Sequence, residues 1–330
     1  MSALRLALLA FAICGVLAIG DEKASGAGTE LEGSGSLKLE PPTAKGRDVS
    51  EVDAFLGTRR STRIAQVIPD HARACLPSGG GSRTTEAQRG IAAVADTMAE
   101  SPLGAWLLDE AAARLVLICQ DPNTDLAAYY RSQMRLIGLF ERLADPARIM
   151  FLAHELAHVP QHPRFSNDLR FGPQAVLVMH RMREATAEAV ATRVLWQLRA
   201  RGRTEPWQYK LASAYGDIAR AFAQAMDGDG ELAELRATRA AFDQWFGRPG
   251  RVHSYDARIL AHIARVGDRR PGLVRRTRHL TEEFLRGIGW YGGATFLPPG
   301  ESPVLSDPYY ARGLSPGNAA QLHAILERTM

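Results

Sequence analysis

The pattern of apolar and polar positions divides the chain into three stretches. Residues 6–20 form one unbroken apolar run, residues 21–50 are rich in Gly, Ser, Glu and Pro, and apolar residues recur at regular spacing beyond about residue 51. The short run ARLVLICQD at 113–121 predicts a buried strand, and residues 127–140 predict one or two more. From the 140s to about 247 the spacing predicts nearly continuous helix. The expected fold class is therefore mainly α with a small β element (α+β).

Proline and glycine residues refine the predicted limits of the helices and loops. Residues 87–113 predict two helices separated at Ser101-Pro102, and the glycine-rich stretch 75–86 predicts a loop. Beyond residue 250 we expect helices near 255–266 and 277–288, a Gly/Pro-rich loop, and a final helix after SPGNAA at 315–320.

The N-terminal stretch predicts export. Arg5 precedes an apolar run that is short for a membrane span and ends in small residues before Asp21. We expect 1–20 to be a signal peptide and the protein to be periplasmic or secreted. An uncleaved anchor, tethering the protein to the membrane through residues 6–20, is the alternative. Residues 21–50 are predicted to be a disordered linker, residues 51–250 the main domain, and 251–330 a mostly helical extension packed on it.

Composition narrows the function classes. The chain has 46% hydrophobic and 23% charged residues, values of a protein with a sizeable core. A net charge of +4 with only 7% aromatics, and no basic run interleaved with aromatics, predicts no nucleic-acid partner. Nothing indicates an oligomeric state. Cys75 and Cys119 can form a disulfide in an exported protein or remain buried thiols, and both alternatives stay open.

The segment FLAHELAHVPQH, residues 151–162, contains the pattern HExxH. Asp145 and Pro146 predict a helix start, and Pro160 predicts its end. His154 and His158 then share one face and can reach one ion, with Glu155 about 100° around the axis. A catalytic Zn²⁺ needs three protein ligands and an adjacent carboxylate as general base. The alternative is a buried helix whose histidines are merely hydrogen-bonded.

The third ligand decides between these alternatives. A third histidine in the form HExxHxxGxxH is absent, because Gln161 and Arg164 occupy its glycine and histidine positions, and His162 is expected to lie off the helix. A second predicted helix, starting at Pro173 and stopping at Gly202, carries REATAEAVA.

Glu184 and Glu188 stand four residues apart in that segment, among alanines that allow a close helix contact. Buried carboxylates need a cation or donors. The alternative is an exposed acidic strip paired with Arg181 and Arg183.

HExxH followed on a later helix by E-x-x-A-[D/E] resembles the gluzincin group of zinc metallopeptidases, and the chain is also similar to uncharacterised bacterial metallopeptidase domains. The resemblance implies a zincin-like domain at 51–250 that hydrolyses peptide or protein substrates. It implies His154, His158 and Glu184 as zinc ligands, Glu155 as general base, and Glu188 as a residue orienting a ligating histidine. Glu188 replaces the more usual aspartate, so it is the alternative ligand.

Two points stay open. The donor for the reaction's oxyanion could be His253, Tyr255, His279 or Tyr291, although each is more often a structural residue; His180 could lie near the site.

The other function class is an exported, non-catalytic zincin-like binding or scaffold domain of the cell envelope. The presence of Glu155 favours the enzyme, because a purely structural metal site has no need of a base.

Overall fold

The computed structural model describes residues 58–165, 171–274, 280–297, 305, 307–310 and 312–329. The predicted signal segment 1–20 and linker 21–50 lie outside these residues. Within the described ranges, no helix combines the length and the hydrophobicity that crossing a bilayer requires.

The described residues are mostly helical, which confirms the expected fold class. The α-helices are α1 Thr58–Ala65, α2 His71–Ala74, α3 Glu86–Ala99, α4 Pro102–Ala113, α5 Asp145–Phe165, α6 Pro173–Ala200, α7 Glu205–Ala212, α8 Gly216–Ala225, α9 Glu231–Phe246, α10 Pro249–Arg269, α11 Pro271–Val274, α12 Glu282–Arg286 and α13 Pro316–Thr329. A 3₁₀ turn, Gly287–Gly289, follows α12. The strands are β1 Cys75–Pro77, β2 Leu117–Asp121, β3 Ala128–Arg131, β4 Leu136–Phe140, β5 Trp290–Tyr291 and β6 Ala294–Thr295.

A four-stranded sheet carries the order β1-β2-β4-β3, and β5 and β6 form a separate two-stranded ribbon. β2 and β4 run parallel, whereas β1 and β3 pair antiparallel with them on the two outer sides. Side chains alternate along the strands: Ile118 and Ile137 join the helical core, and Leu117 and Leu136 pack against Ile64 of α1. Both faces of the central strands are covered, which explains why β2 appears in the sequence as an apolar run.

The expected loop at 75–86 is wrong at its start, because Cys75–Pro77 form β1. Cys75 lies opposite Cys119 in the β1–β2 pairing, and a disulfide joins the two residues. A strand of three residues is too short to show an alternating pattern, so only its partner β2 was apparent from the sequence.

Helix α6 lies at the centre of the molecule and is buried on most sides. It begins at Pro173, and Gly202 lies two residues beyond its last residue with φ +86°, as the Pro and Gly signals predicted. Several of its polar side chains have partners on neighbouring helices, such as Arg193 with Glu234 of α9 at 2.7 Å. A helix buried all around orients its polar groups through such contacts, not through solvent.

The predicted end of α5 at Pro160 is wrong, since the helix continues to Phe165. Proline removes one main-chain hydrogen bond, which is enough to kink or end a helix when nothing else holds the next turn. Here Pro160 is buried, and the following residue, Gln161, makes side-chain hydrogen bonds within α5 and to α6. Tertiary contacts thus keep the backbone helical, and His162 lies on the helix instead of after it.

The C-terminal segments share one core with the central helices. α10 is longer than the expected 255–266, and the predicted final helix is α13, which begins at Pro316 within SPGNAA instead of after it. Part of the helix expected at 277–288 is α12; residues 275–279 lie outside the described ranges. Leu260 of α10 and Ile325 of α13 belong to the same hydrophobic cluster as Leu156 of α5. The segment beyond residue 250 therefore contributes to the surroundings of the HExxH helix.

Candidate metal centre

The HExxH histidines and the REATAEA glutamates meet where α5 packs against α6. The Nε2 atoms of His154 and His158 are 3.2 Å apart. The Glu184 carboxylate lies 3.5 Å from Nε2 of His154 and 3.6 Å from Nε2 of His158. One donor atom from each of these three residues lies within 4.8 Å of the other two. Two imidazoles and a carboxylate converging in this way form a donor set that suits a divalent transition metal.

Glu188 contacts the far side of His154. Its Oε1 lies 3.2 Å from Nδ1 of His154, in a direction that departs from an ideal hydrogen bond. Its other oxygen, Oε2, accepts from the ammonium of Lys210 on α7, and both side chains are buried. A carboxylate at Nδ1 favours the tautomer that leaves Nε2 available to a metal. The Glu184 carboxylate thus lies near the Nε2 atoms of both histidines, whereas the Glu188 carboxylate lies near Nδ1 of His154 only.

His158 is oriented by an amide instead of a carboxylate. Nδ1 of His158 lies 2.9 Å from Oε1 of Gln161, and Nε2 of Gln161 donates to the Arg183 carbonyl at 3.2 Å. Because that donation fixes which end of the amide is oxygen, the Gln161 oxygen faces His158 and accepts its Nδ1 proton. Nε2 of His158 then has a lone pair directed toward Glu184 and His154.

Glu155 is buried beside the histidines, with 9% of its surface exposed. Its carboxylate accepts a hydrogen bond from the backbone N–H of Tyr130 in β3. Burial, together with the charges of Glu184 and Glu188, raises the pKa of Glu155 to about 7. The partner that a buried glutamate requires is thus a main-chain group of the sheet edge, which the sequence pattern did not indicate.

The electrostatics of the cluster favour a cation between the two helices. Burial disfavours a charged His154, but the carboxylates of Glu184 and Glu188 beside its two ring nitrogens, with Glu155 nearby, outweigh burial and raise the His154 pKa well above its usual value. Burial lowers the pKa of His158 to about 4. The Glu184 pKa falls to about 2, because the neighbouring histidines and Arg183 outweigh its burial. The surroundings of His154 therefore stabilise positive charge, which is the environment that a metal cation needs.

A cavity of about 290 Å³ opens over this cluster. His154, Glu155 and Glu184 lie at its base, and the sheet edge at Ala128 and Tyr130 forms one side. The remaining walls come from α5, α6 and α10, including Phe151, His180, Arg183, Tyr255, Arg258 and Ile259. The cluster is therefore accessible to a small molecule or a peptide segment, unlike a closed structural metal site.

The structure separates the candidates for an oxyanion donor. Tyr255 lines the cavity, and its hydroxyl lies 3.0 Å from that of Tyr215. The Tyr291 hydroxyl instead makes a buried hydrogen bond to the Ala157 carbonyl at 2.7 Å, a structural role. His253 is not among the residues that line this cavity, and its carbonyl accepts from Asn318. His279 lies outside the described residues. His180 lines the cavity, near Glu184 as expected.

The alternative of an exposed acidic strip is wrong in two respects. Glu188 is buried, and Arg181 forms a buried bidentate pair with Asp256 of α10 at 2.7 Å instead of pairing with the glutamates. Arg183 does lie close enough to Glu184 to lower its pKa.

Sequence reasoning missed Gln161 and Lys210 as orienting residues. Gln161 is one turn beyond His158, a signal that becomes visible only if α5 continues past Pro160. Lys210 is 22 residues from Glu188 on another helix, so only the fold brings them together.

One family model matches residues 69–296, more than half of the 330-residue chain. It is described as "Putative metallopeptidase family (DUF6782)". No curated protein and no solved structure matches the chain. The matched range contains α5, α6 and every residue of the cluster described above.

Proposed function

The chain belongs to this metallopeptidase family, and on that premise we propose that it is a zinc-dependent peptidase of the gluzincin type. The observation that carries the proposal is the cluster itself: donor atoms of His154, His158 and Glu184 within 4.8 Å of one another, beside the buried Glu155 and under an open cavity. A structural zinc site is closed by four protein ligands, whereas a catalytic site uses three.

In the proposed site His154 and His158 would bind zinc through Nε2, and Glu184 would be the third protein ligand. Zinc bound there would lower the pKa of a water molecule toward neutrality and polarise the carbonyl of the scissile bond. Glu188 and Gln161 hold the two imidazoles by their Nδ1 atoms, so that both rings keep their orientation. Glu188 faces only Nδ1 of His154, which supports its assignment as an orienting residue.

Glu155 is proposed to act as the general base. Its carboxylate accepts a proton from the attacking water and passes that proton to the amine of the leaving group. Burial raises the pKa of Glu155 to about 7. A nearby cation would lower this pKa, so Glu155 would be ionised at neutral pH. The N–H of Tyr130 fixes the carboxylate against the sheet edge.

The edge strand β3 is proposed to bind the substrate main chain. The Phe140 N–H donates to the Ala127 carbonyl at 2.9 Å, and Ala128 lies opposite Leu139. Since antiparallel pairs alternate, the main-chain groups of Ala128 and Tyr130 point away from β4. The Tyr130 N–H contacts Glu155, which leaves the N–H and carbonyl of Ala128 as the groups proposed to meet a peptide. An extended peptide can add to such an edge. Tyr255, on the opposite side, is the proposed donor to the oxyanion.

We further propose that the peptidase acts after export, in the periplasm or outside the cell, with the membrane anchor through residues 6–20 as the alternative form. The apolar run at 6–20 supports this proposal. The Cys75–Cys119 disulfide also supports it, because such bonds persist in oxidising compartments.

The proposal is tested by peptide hydrolysis with controlled metal content. Purified protein is expected to cleave a mixture of unstructured peptides, to lose this activity when a chelator removes the metal, and to regain it when one equivalent of zinc is returned. Product masses identify the cleaved bonds. Zinc-loaded protein that cleaves none of a diverse peptide mixture would instead favour a binding or scaffold role.

A further inference from the structure

Three basic side chains line the cavity above the cluster on the side formed by α6 and α10. They are His180 and Arg183 of α6 and Arg258 of α10, called the cationic wall below. His180 and Arg183 are three residues apart and so share one helical face. Tyr255 stands three residues before Arg258 on α10 and lines the same cavity.

A buried ion pair holds this wall in place. Arg181 donates through Nε and Nη2 to the two carboxylate oxygens of Asp256, both at 2.7 Å, and 4% and 1% of these side chains are exposed. The pair joins α6 to α10 at the residues adjacent to the wall. Bidentate guanidinium–carboxylate pairs fix direction as well as distance. The position of Tyr255 and Arg258 over the cavity is thus determined by the core, although Arg258 itself is exposed.

Arg258 is directed by an aromatic ring. Its guanidinium carbon lies 5.3 Å from the centre of the Tyr255 ring. Within the described part of the chain, no carboxylate lies within salt-bridge distance of Arg258. A guanidinium placed against a ring keeps its N–H groups available to a planar acceptor.

The charge balance of the cavity favours an anionic ligand group. Three carboxylates lie at its base, those of Glu155, Glu184 and Glu188. The ammonium of Lys210 offsets Glu188, and a divalent ion would offset the other two. Arg258 then adds a positive charge that no carboxylate of the described residues pairs with, so the wall would attract a carboxylate and disfavour a basic side chain.

We propose that the cationic wall binds a carboxylate of the peptide substrate and makes the enzyme selective for substrates that carry one near the scissile bond. This inference rests on the proposed peptidase function. Two sources supply the same chemistry: the C-terminal carboxylate of a peptide, or the side chain of Asp or Glu. The first would make the protein a carboxypeptidase, and the second would make it an endopeptidase that selects acidic sequences.

The test measures binding and cleavage of matched peptides. Peptides found to be cleaved are remade with a free and with an amidated C-terminus, which compares the C-terminal carboxylate with a neutral group. A second pair, amidated at the C-terminus, carries either Glu or Gln beside the scissile bond and compares a side-chain carboxylate with its neutral counterpart. Dissociation constants are measured by calorimetry in zinc-loaded Glu155→Gln protein, where the expected turnover is slow enough for binding to be measured, and kcat/KM is measured in the protein with Glu155 intact. Arg258→Gln, Arg258→Lys and, as the control on the same helix, exposed Arg265→Gln are compared in both backgrounds.

We expect the carboxylate-bearing peptide of at least one source to bind about 10- to 100-fold more tightly than its neutral reference. Arg258→Gln should remove most of this preference, Arg258→Lys should keep part of it, and Arg265→Gln should keep all of it. Equal affinity for charged and neutral peptides in the parent protein, or an unchanged preference in Arg258→Gln, would overturn the inference. Cleavage and zinc content are recorded separately, so failure of the peptidase proposal is distinguishable from failure of this one.

Discussion

Replacing Glu155 with glutamine is expected to lower kcat for peptide hydrolysis by a factor on the order of 10²–10⁴, while the protein keeps its zinc. Glutamine has nearly the same shape and still accepts a hydrogen bond from the Tyr130 N–H, but it cannot take up a proton. Glu155 is also not one of the three residues whose donor atoms converge, so the donor set is unchanged. Steady-state kinetics and elemental analysis of the same preparation measure both quantities.

The control for Glu155→Gln is Glu283→Gln, the same change at an exposed residue of α12. That variant should hydrolyse peptides at the parent rate. A Glu155→Gln protein that keeps more than about a tenth of the parent kcat would contradict the role of general base. A variant that loses both zinc and activity would show instead that Glu155 maintains the metal site.

Replacing Lys210 with methionine is expected to lower the free energy of unfolding by about 3–5 kcal/mol, because it breaks a buried ion pair and leaves the Glu188 charge with only the His154 imidazole beside it. Lys210 is 1% exposed and lies against the Glu188 carboxylate. Denaturant unfolding of the metal-free protein measures the loss. The same change should also weaken zinc binding, since Glu188 holds His154.

A second substitution separates the charge from the loss of packing. Glu188→Gln added to Lys210→Met removes the uncompensated carboxylate, so the double variant should be more stable than Lys210→Met alone. Arg203→Met breaks the exposed pair with Glu100 and should have a far smaller effect, because water screens that pair. A double variant whose loss equals the sum of the two single losses would show that the Lys210–Glu188 pair carries no coupling.

The helical positions of the site could be predicted from the sequence, because local patterns encode them. His154 and His158 share a face through their spacing alone, and the Pro and Gly signals mark the limits of the helix that carries Glu184. The sequence also indicates that α6 can pack closely against another helix, because alanines surround Glu184 and Glu188. Which glutamate points at both histidines is a matter of side-chain direction, and only the structure shows that this residue is Glu184.

Tertiary contacts account for what the sequence did not show. Proline chemistry predicts that α5 ends at Pro160, but the hydrogen bonds of Gln161 stabilise one more turn and give His158 its orienting partner. Lys210 and Tyr255 come from helices whose own patterns give no sign of a site. The Glu155 carboxylate is held by a main-chain group, the Tyr130 N–H. Backbone donors leave no signal in the sequence.

Metal analysis of three proteins tests the central claim, that His154, His158 and Glu184 together bind the zinc ion. After loading and dialysis, the parent protein is expected to retain about one zinc per chain, and Glu184→Ala is expected to retain almost none while remaining folded by circular dichroism. Glu188→Ala should still bind zinc, with affinity about 10- to 100-fold lower, because it loses only the residue that orients His154. A folded parent protein that binds no zinc, or a Glu184→Ala protein that binds zinc as tightly as the parent, would contradict the account.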